Sequence, residues 1–371
     1  MRNIPPEFSD GAQSVLRACQ ILRAFRREGE VLVLSDLVHR TGLPKTTVFR
    51  LLQSLVTGGL AERAGRGEYR SLVRFAHMQQ IRLGFAAQTD SDFSRAVSDG
   101  LTHAAAAHGG VQMITVNNRY SAREAVRNVE LLIRERVELV MEFQTHQRVA
   151  PVVASRLLEA DIPVIAIEIP HPGATYFGAN NYQAGQIAGR AMGRWAREHW
   201  NGKADQILLL ELPIAGPLLA LRTTGFLDGL RDELSTADSI PSVRLDGKGT
   251  LEQVLGTVRK YLHKVKPRRT LVGCVNDVCA IAAVRAFEEI GRGDYCAAAG
   301  QNGTLGARQE LRRAGTRLVG SVAYFPEKYG AELVKLALGI LQGKPMPQAV
   351  FVKHQWLTPA NVDLLYPLDG G

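Results

Sequence analysis

From residue 83 to residue 301 the chain alternates short, continuous apolar runs with longer amphipathic segments, and few folds can absorb that rhythm. LGFAAQ (83–88), VQMITVNN (111–118), ELVMEF (138–143) and PVIAIEI (163–169) read as strands, with helices predicted at 91–109, 121–137 and 149–161. An apolar run without polar alternation is buried on both faces, the condition of a strand in a parallel sheet covered by helices on either side. After a helix-rich stretch at 176–200 the rhythm restarts. Strands are predicted at 206–212, 242–246, 270–276 and 295–301, and helices near 218–234, 250–265, 278–291 and 304–314. Two doubly wound parallel sheets in one chain predict an α/β body of two lobes. Its site should lie in the crevice between the lobes, at the carboxyl ends of the strands.

The first 80 residues follow a different period. In SVLRACQILRAFRR (14–27), Val15, Cys19, Leu22 and Phe25 fall on one helical stripe, with Arg17, Arg23 and Arg27 away from its centre. A short second helix is predicted from Ser35, as N-cap, to a stop at Gly42. In TGLPKTTVFRLLQSLVTGGL (41–60), Pro44 suits a first helical turn. Val48, Leu51, Leu52 and Leu55 then form the buried stripe, leaving Thr46, Arg50 and Gln53 on the opposite face, Thr47 and Phe49 beside them, and Lys45 at the amino end. LAERAGRGEYRSL (60–72) reads as a hairpin with Arg66 at its tip.

Helix, short helix, glycine turn, helix and basic hairpin is the winged helix-turn-helix plan, whose last helix enters the DNA major groove. SVLRACQILRAF and LSDLVHRTGLPKTTVFRLLQSLVTGGLAER closely resemble the DNA-binding domain of the isocitrate lyase regulator (IclR) family over residues 13–73. The resemblance implies base or phosphate contacts from Lys45, Thr46, Thr47, Phe49 and Arg50, and a wing contact from Arg66.

DIPVIAIEIP with YFGANNYQAGQIAGRAM, ALRTTGFLDGL, GCVNDVCAIAAVRA and AAAGQNGT occur in that order, and the body they belong to resembles the type I periplasmic binding protein fold. Ribose-type sugar binders and the effector domains of lac repressor (LacI) family regulators use that fold. The resemblance implies a cleft containing Asp90, Phe93, Glu168, Arg222, Asn276, Asn302 and Tyr324. Ribose-type binders put Asp-Arg where this chain has Glu168-Ile169, Phe-Asp where it has Gln301-Asn302, and a hinge-side Gln where it has Tyr324. The smaller number of charged groups implies a small polar, uncharged effector of sugar type. Members resembling either part usually carry a different partner domain, so the fusion departs from both families.

The expected domains are a winged helix-turn-helix over 1–73, a short linker over 74–80 and an effector-binding body over 81–371. Lobe 1 is expected to hold about 81–179 plus 325–348, and lobe 2 about 180–324 plus 349–371. Charge agrees with a polyanion partner at the amino end. Residues 1–80 hold 12 Lys/Arg against 7 Asp/Glu, whereas the other 291 residues hold 33 against 29.

No phosphate-cradling glycine loop, nucleophile elbow or HExxH motif supports an enzyme. Glu168 and Asp277 could serve as acid and base, but nothing in the sequence pairs them. The four cysteines are scattered in apolar contexts and are expected to be buried thiols, with no metal site and no cofactor. The amino end lacks the pattern of a secretory signal and no apolar run reaches membrane length, which predicts a cytoplasmic protein. These readings converge on a homodimeric transcription regulator binding double-stranded DNA under control of a small effector. The alternative is a cytoplasmic sugar-binding protein or sugar-acting enzyme with a helical interaction module.

Overall fold

A computed structural model describes residues 10–25, 30–73 and 80–368. The predicted linker over 74–80 and the last residues of the first predicted helix fall almost wholly outside the described residues. The chain divides into two compact units, 1–80 and 81–371.

The first unit contains α1 (Asp10–Arg23), β1 (Val31–Val33), α2 (Leu34–Thr41), α3 (Lys45–Thr57), β2 (Ala61–Gly65) and β3 (Glu68–Ser71). Its core gathers Ile21, Leu22, Phe25, Leu37, Val48, Leu52, Leu55 and Tyr69. The stripe expected on α1 is only half buried. Leu22 and Phe25 are in the core, but Val15 is 63% exposed and Cys19 is exposed. Helix α2 starts one residue before Ser35, which therefore does not cap it; Val33 occupies the cap position without a side-chain bond. The preceding residues form β1, which pairs with β3 and pulls the helix start forward. Gly42, at φ 67°, ends α2 by donating its N–H to the Val38 carbonyl.

In the second unit, lobe 1 is built from β4 (Ile81–Ala87), α4 (Asp92–His108), β5 (Val111–Asn117), α5 (Ala122–Arg134), β6 (Leu139–Glu142), α6 (Ala150–Glu159), β7 (Val164–Ile167) and β8 (Thr175–Gly178). Lobe 2 continues with α7 (Asn181–Trp200), β9 (Gln206–Glu211), α8 (Pro217–Glu233), β10 (Ser242–Asp246), α9 (Leu251–Leu262), β11 (Thr270–Cys274), α10 (Asp277–Glu289), β12 (Cys296–Asn302), α11 (Leu305–Arg312) and β13 (Leu318–Ala323). The chain then returns to lobe 1 for α12 (Tyr329–Leu341) and β14 (Ala349–Phe351), and ends in lobe 2 with β15 (Gln355–Leu357) and α13 (Val362–Leu365).

The sheet orders are β14-β8-β7-β6-β4-β5 and β10-β9-β11-β12-β13-β15. Neighbouring strands are parallel except β13 with β15. Strand β14 pairs with β8 through Ala349↔Tyr176 to Phe351↔Gly178, so residues 349–351 belong to lobe 1 and not, as expected, to lobe 2. The central strands of each sheet are buried on both faces. In lobe 1, Leu83, Phe85 and Ala87 of β4 face the core shared with α4 and α12, while Ala86 faces the core beneath α5 and α6. Three cysteines, Cys274, Cys279 and Cys296, are buried thiols in the core of lobe 2.

The same topology places Glu142 at the end of β6, where it is wholly buried. It accepts from Asn118 Nδ2 at 2.9 Å and forms no ion pair among the described residues. Burial pushes its carboxyl up to about 8, so it is mostly protonated at neutral pH. The folded state therefore holds a proton that the unfolded chain releases near its ordinary value of 4.5. Stability should fall as pH rises from about 4.5 through 8. Glu142→Gln is expected to flatten this slope and to stabilise the unit by a few kcal/mol at pH 8. Urea unfolding of both proteins at pH 5 and pH 8 checks this; identical slopes would contradict it.

Candidate functional site

In both lobes the first strand has its two neighbours on opposite sides, β5 and β6 around β4 and β10 and β11 around β9. Chain connections leaving such a strand diverge and open a crevice at its carboxyl end. The two crevices face each other across a cavity of about 630 Å³, within the range of small-molecule sites. Lobe 1 lines it with Gln88, Asp90, Phe93, Tyr120, Phe143, Thr145 and Glu168; lobe 2 contributes Leu212, Arg222, Gly249, Asn276, Asp277, Asn302 and Thr304.

Six of the seven expected cleft residues, Asp90, Phe93, Glu168, Arg222, Asn276 and Asn302, border this cavity. Tyr324 does not line it. It is 1% exposed, and its ring lies 5.0 Å from the Arg222 guanidinium while its hydroxyl donates to Gln301 Oε1 at 2.8 Å. It supports a cleft residue from behind. Tyr120, Phe143 and Thr145 were not anticipated, although Phe143 ends a predicted strand and Tyr120 follows one. The last residue of each predicted strand and the two that follow it include all three.

The floor of the cavity is a buried ion pair joining the lobes. Arg222, from α8 of lobe 2, donates from Nη2 to Glu168 Oε2 of lobe 1 at 3.1 Å, the side chains being 5% and 8% exposed. Its Nε donates to Asn181 Oδ1 at 2.6 Å, and Nη1 donates to the Val275 carbonyl at 2.7 Å and to Asn302 Oδ1 at 3.4 Å. A guanidinium has five N–H donors, so most of its capacity is already used. Glu168 also accepts from the Tyr329 hydroxyl at 2.8 Å. Burial pushes its carboxyl above the ordinary range, opposed by the Arg222 guanidinium. Its backbone is left-handed, at φ 62°.

Asp277 is wholly buried, and burial raises its carboxyl to about 6. It accepts from the Ser321 hydroxyl at 2.5 Å and from the Thr304 N–H and hydroxyl at 2.8 and 2.9 Å. Asn276 caps α10 by accepting from the Cys279 N–H at 2.9 Å through its side-chain oxygen. Asp90 accepts from Asn117 Nδ2 at 2.8 Å and is exposed. The polar groups lining the cavity are thus neutral amides and hydroxyls together with the accessible carboxylates of Asp90 and Asp92 and the guanidinium of Arg285. Phe93 stands edge-on to Phe143 and Tyr329, at 6.0 and 5.8 Å, and gives an apolar wall. Such a surface suits hydroxyl groups beside a C–H face.

The lobes touch at the mouth of the cleft. Tyr120 of lobe 1 lies so close to Gly249 that a Cβ there would strike its hydroxyl, and Gln147 closes in the same way on Gly216. Behind the cavity, three chain crossovers join the lobes, after β8, β13 and β14. His354, on the third crossover, accepts the Asn180 N–H of the first at 3.0 Å and packs against Tyr324 of the second at 4.9 Å. Burial and Arg222 hold the His354 imidazole down to about 4, so it stays neutral and keeps Nε2 free to accept.

In the first unit Lys45, Thr46, Phe49, Arg50 and Arg66 are exposed and Thr47 is half-buried; Phe49 is 47% exposed. The first five of the named helix positions fall on α3, and Arg66 falls in the turn between β2 and β3. Gln53, on the same helix, accepts from Arg63 Nη2 at 2.7 Å and donates to the Tyr69 hydroxyl at 3.3 Å, which fixes the wing against α3. The unit presents a basic helix face and a basic turn, an arrangement that can meet a groove and its flanking phosphates.

Residues 84–345 match the family model described as periplasmic binding protein domain, and residues 14–65 match that of the IclR helix-turn-helix domain. No curated protein sequence matches the chain. Among solved structures, the chain is similar to an ABC transporter solute binding protein from Mycobacterium smegmatis with bound glycerol, at 19% identity and TM-score 0.70 over 78% of this chain and 98% of that one. It is similar to one from Bacillus halodurans with bound myo-inositol, at 19% identity and TM-score 0.68 over 78% and 98%. A third, from Actinobacillus succinogenes with bound D-allose, is 16% identical with TM-score 0.66 over 76% and 99%. At these identities the likeness is one of fold. No helix among the described residues is long and apolar enough to cross a membrane.

Proposed function

The chain belongs to the periplasmic binding protein domain family and carries an IclR helix-turn-helix domain ahead of that domain, and from this pairing we propose a ligand-responsive, DNA-binding transcription regulator. The observation that carries the reading is the presence in one chain of an exposed basic reading helix and a two-lobed cleft of ligand size. Neither matched domain is an enzymatic type. Asp277 has its oxygens taken up by Ser321 and Thr304, and Glu168 by Arg222 and Tyr329, which leaves neither as a free acid or base.

The proposed effector is a sugar, polyol or similar small polar molecule, held by Asp90, Asn276, Asn302 and Arg222 against Phe93. The relatives with bound glycerol, myo-inositol and D-allose support that class. The proposed DNA contacts are Lys45, Thr46, Thr47, Phe49 and Arg50 in the major groove and Arg66 at the wing. A two-fold homodimer is proposed, because paired half-sites about one helical turn apart need two reading heads. Effector binding would shift the lobe equilibrium and with it the spacing of those heads.

Thermal unfolding of the purified chain against a panel of sugars and polyols tests the cleft. A true effector at 100 times its dissociation constant is expected to add about 2.7 kcal/mol to the stability of the unit that binds it. A flat response across the panel would remove sugars and polyols from the proposal. For the reading head, Arg50→Ala is expected to weaken binding to the chain's selected DNA site by ~1–3 kcal/mol. Loss on that site alone assigns a base contact, and equal loss on all sequences assigns a phosphate contact. Unchanged binding on every duplex would overturn the assignment of Arg50.

A further inference from the structure

One pole of the second unit carries a dense run of positive charge. The loop between α9 and β11, HKVKPRR (263–269), carries Lys264, Lys266, Arg268 and Arg269, all exposed, and Lys203 and Lys260 are exposed beside it. The neighbouring loops are bonded together. The Asp205 and Gln206 N–H groups donate to the Arg269 carbonyl at 2.9 and 3.2 Å, and Arg292 Nη1 donates to the Leu262 and Val265 carbonyls, both at 2.9 Å. Among the described residues no ion pair neutralises any of these six Lys/Arg side chains, and Asp205 turns its carboxylate to the Arg269 N–H at 2.8 Å. The whole of residues 81–371 holds 33 Lys/Arg against 29 Asp/Glu, so this pole is more positive than the unit that contains it.

We infer that this pole is a second, sequence-independent contact for the phosphate backbone of duplex DNA. Cations held in no ion pair release condensed counterions when they meet phosphates, and no apolar anchor is needed for that. The loop offers none: no large apolar side chain of 263–269 is exposed, which distinguishes it from a protein-docking surface. It lies at the amino ends of the lobe 2 strands, whereas the chain enters the unit at Ile81, the amino end of β4 in lobe 1. The carboxyl ends of both sheets face the cleft, so these are opposite poles of the unit.

The test uses the full chain and a 30-base-pair duplex of arbitrary sequence, with affinity measured from 50 to 200 mM salt. Lys264→Gln, Lys266→Gln, Arg268→Gln and Arg269→Gln together are expected to reduce the slope of log affinity against log salt by about 3, and to weaken binding at least tenfold at 50 mM. Arg268→Lys with Arg269→Lys, which keeps the charge, should leave both unchanged. An unchanged slope for the fourfold variant would overturn the inference; where Lys45→Gln with Arg50→Gln still lowers the slope, the assignment of the reading head stands. Slope unchanged together with sedimentation on vesicles containing one-fifth phosphatidylserine would reassign the pole to a lipid surface.

Discussion

Arg222→Met is expected to lower the stability of the unit 81–371 by about 3–5 kcal/mol, the cost of leaving one member of a buried ion pair without its partner. The abandoned group is Glu168, which keeps the Tyr329 hydroxyl as a donor. The penalty should ease as pH falls, because burial already favours the protonated carboxyl and loss of the guanidinium removes the influence that opposes it. Adding Glu168→Gln should recover part of the loss, so that the double variant is more stable than the sum of the singles predicts. Urea unfolding of the four proteins measures the coupling. An additive cycle would mean that the pair does not join the lobes. The same residues make the effect functional, since Arg222 also borders the cavity and its loss should abolish the response to an effector.

Gly225→Ala is expected to destabilise the unit by about 3 kcal/mol, near the upper end for inserting a methyl into a packed interior. Helices α7 and α8 approach closely enough for backbone to meet backbone. A Cβ at Gly225 would strike the Tyr182 carbonyl oxygen, and one at Gly185 would strike that of Arg222; Gly189 and Gly229 repeat the contact one turn on. A carbonyl in a helix cannot rotate away, so the helices must separate. Separation would disturb the ion pairs across their rim, Arg190 with Asp232 and Arg194 with Glu233, both at 2.7 Å. It would also move Arg222 itself. Calorimetry of Gly225→Ala and of Gly256→Ala, where a Cβ meets open space, separates this packing effect from ordinary helix propensity, which favours Ala by ~1 kcal/mol. Equal or greater stability of Gly225→Ala would show that the helices can part at no cost.

What the sequence made legible was what local pattern dictates. The stripe of Val48, Leu51, Leu52 and Leu55 is buried, and the apolar runs became the parallel strands, because periodicity reports which faces a core can cover. Cys19 and Val15 carry the same helical period but remain exposed, since periodicity does not say how much of a stripe the domain is large enough to cover. The return of Ala349–Phe351 to lobe 1 was not legible either. A three-residue strand has no period of its own, and its place depends on the free edge of β8. Tyr324 lies one layer behind the cavity because the choice between ring and cleft is made by Arg222, 102 residues away in sequence and 5.0 Å away in space.

The late return of the chain to both sheets has a consequence for synthesis. The edge of β8 is completed by residues 349–351 and the edge of β13 by residues 355–357. Until the ribosome has released those residues, each lobe presents an unpaired strand edge, the surface most prone to join a neighbouring chain. The first unit faces no such delay, as all its described strands pair within residues 31–71. A nascent chain can therefore complete its helix-turn-helix domain long before either lobe. Premature termination anywhere before residue 349 would release that domain with neither lobe finished.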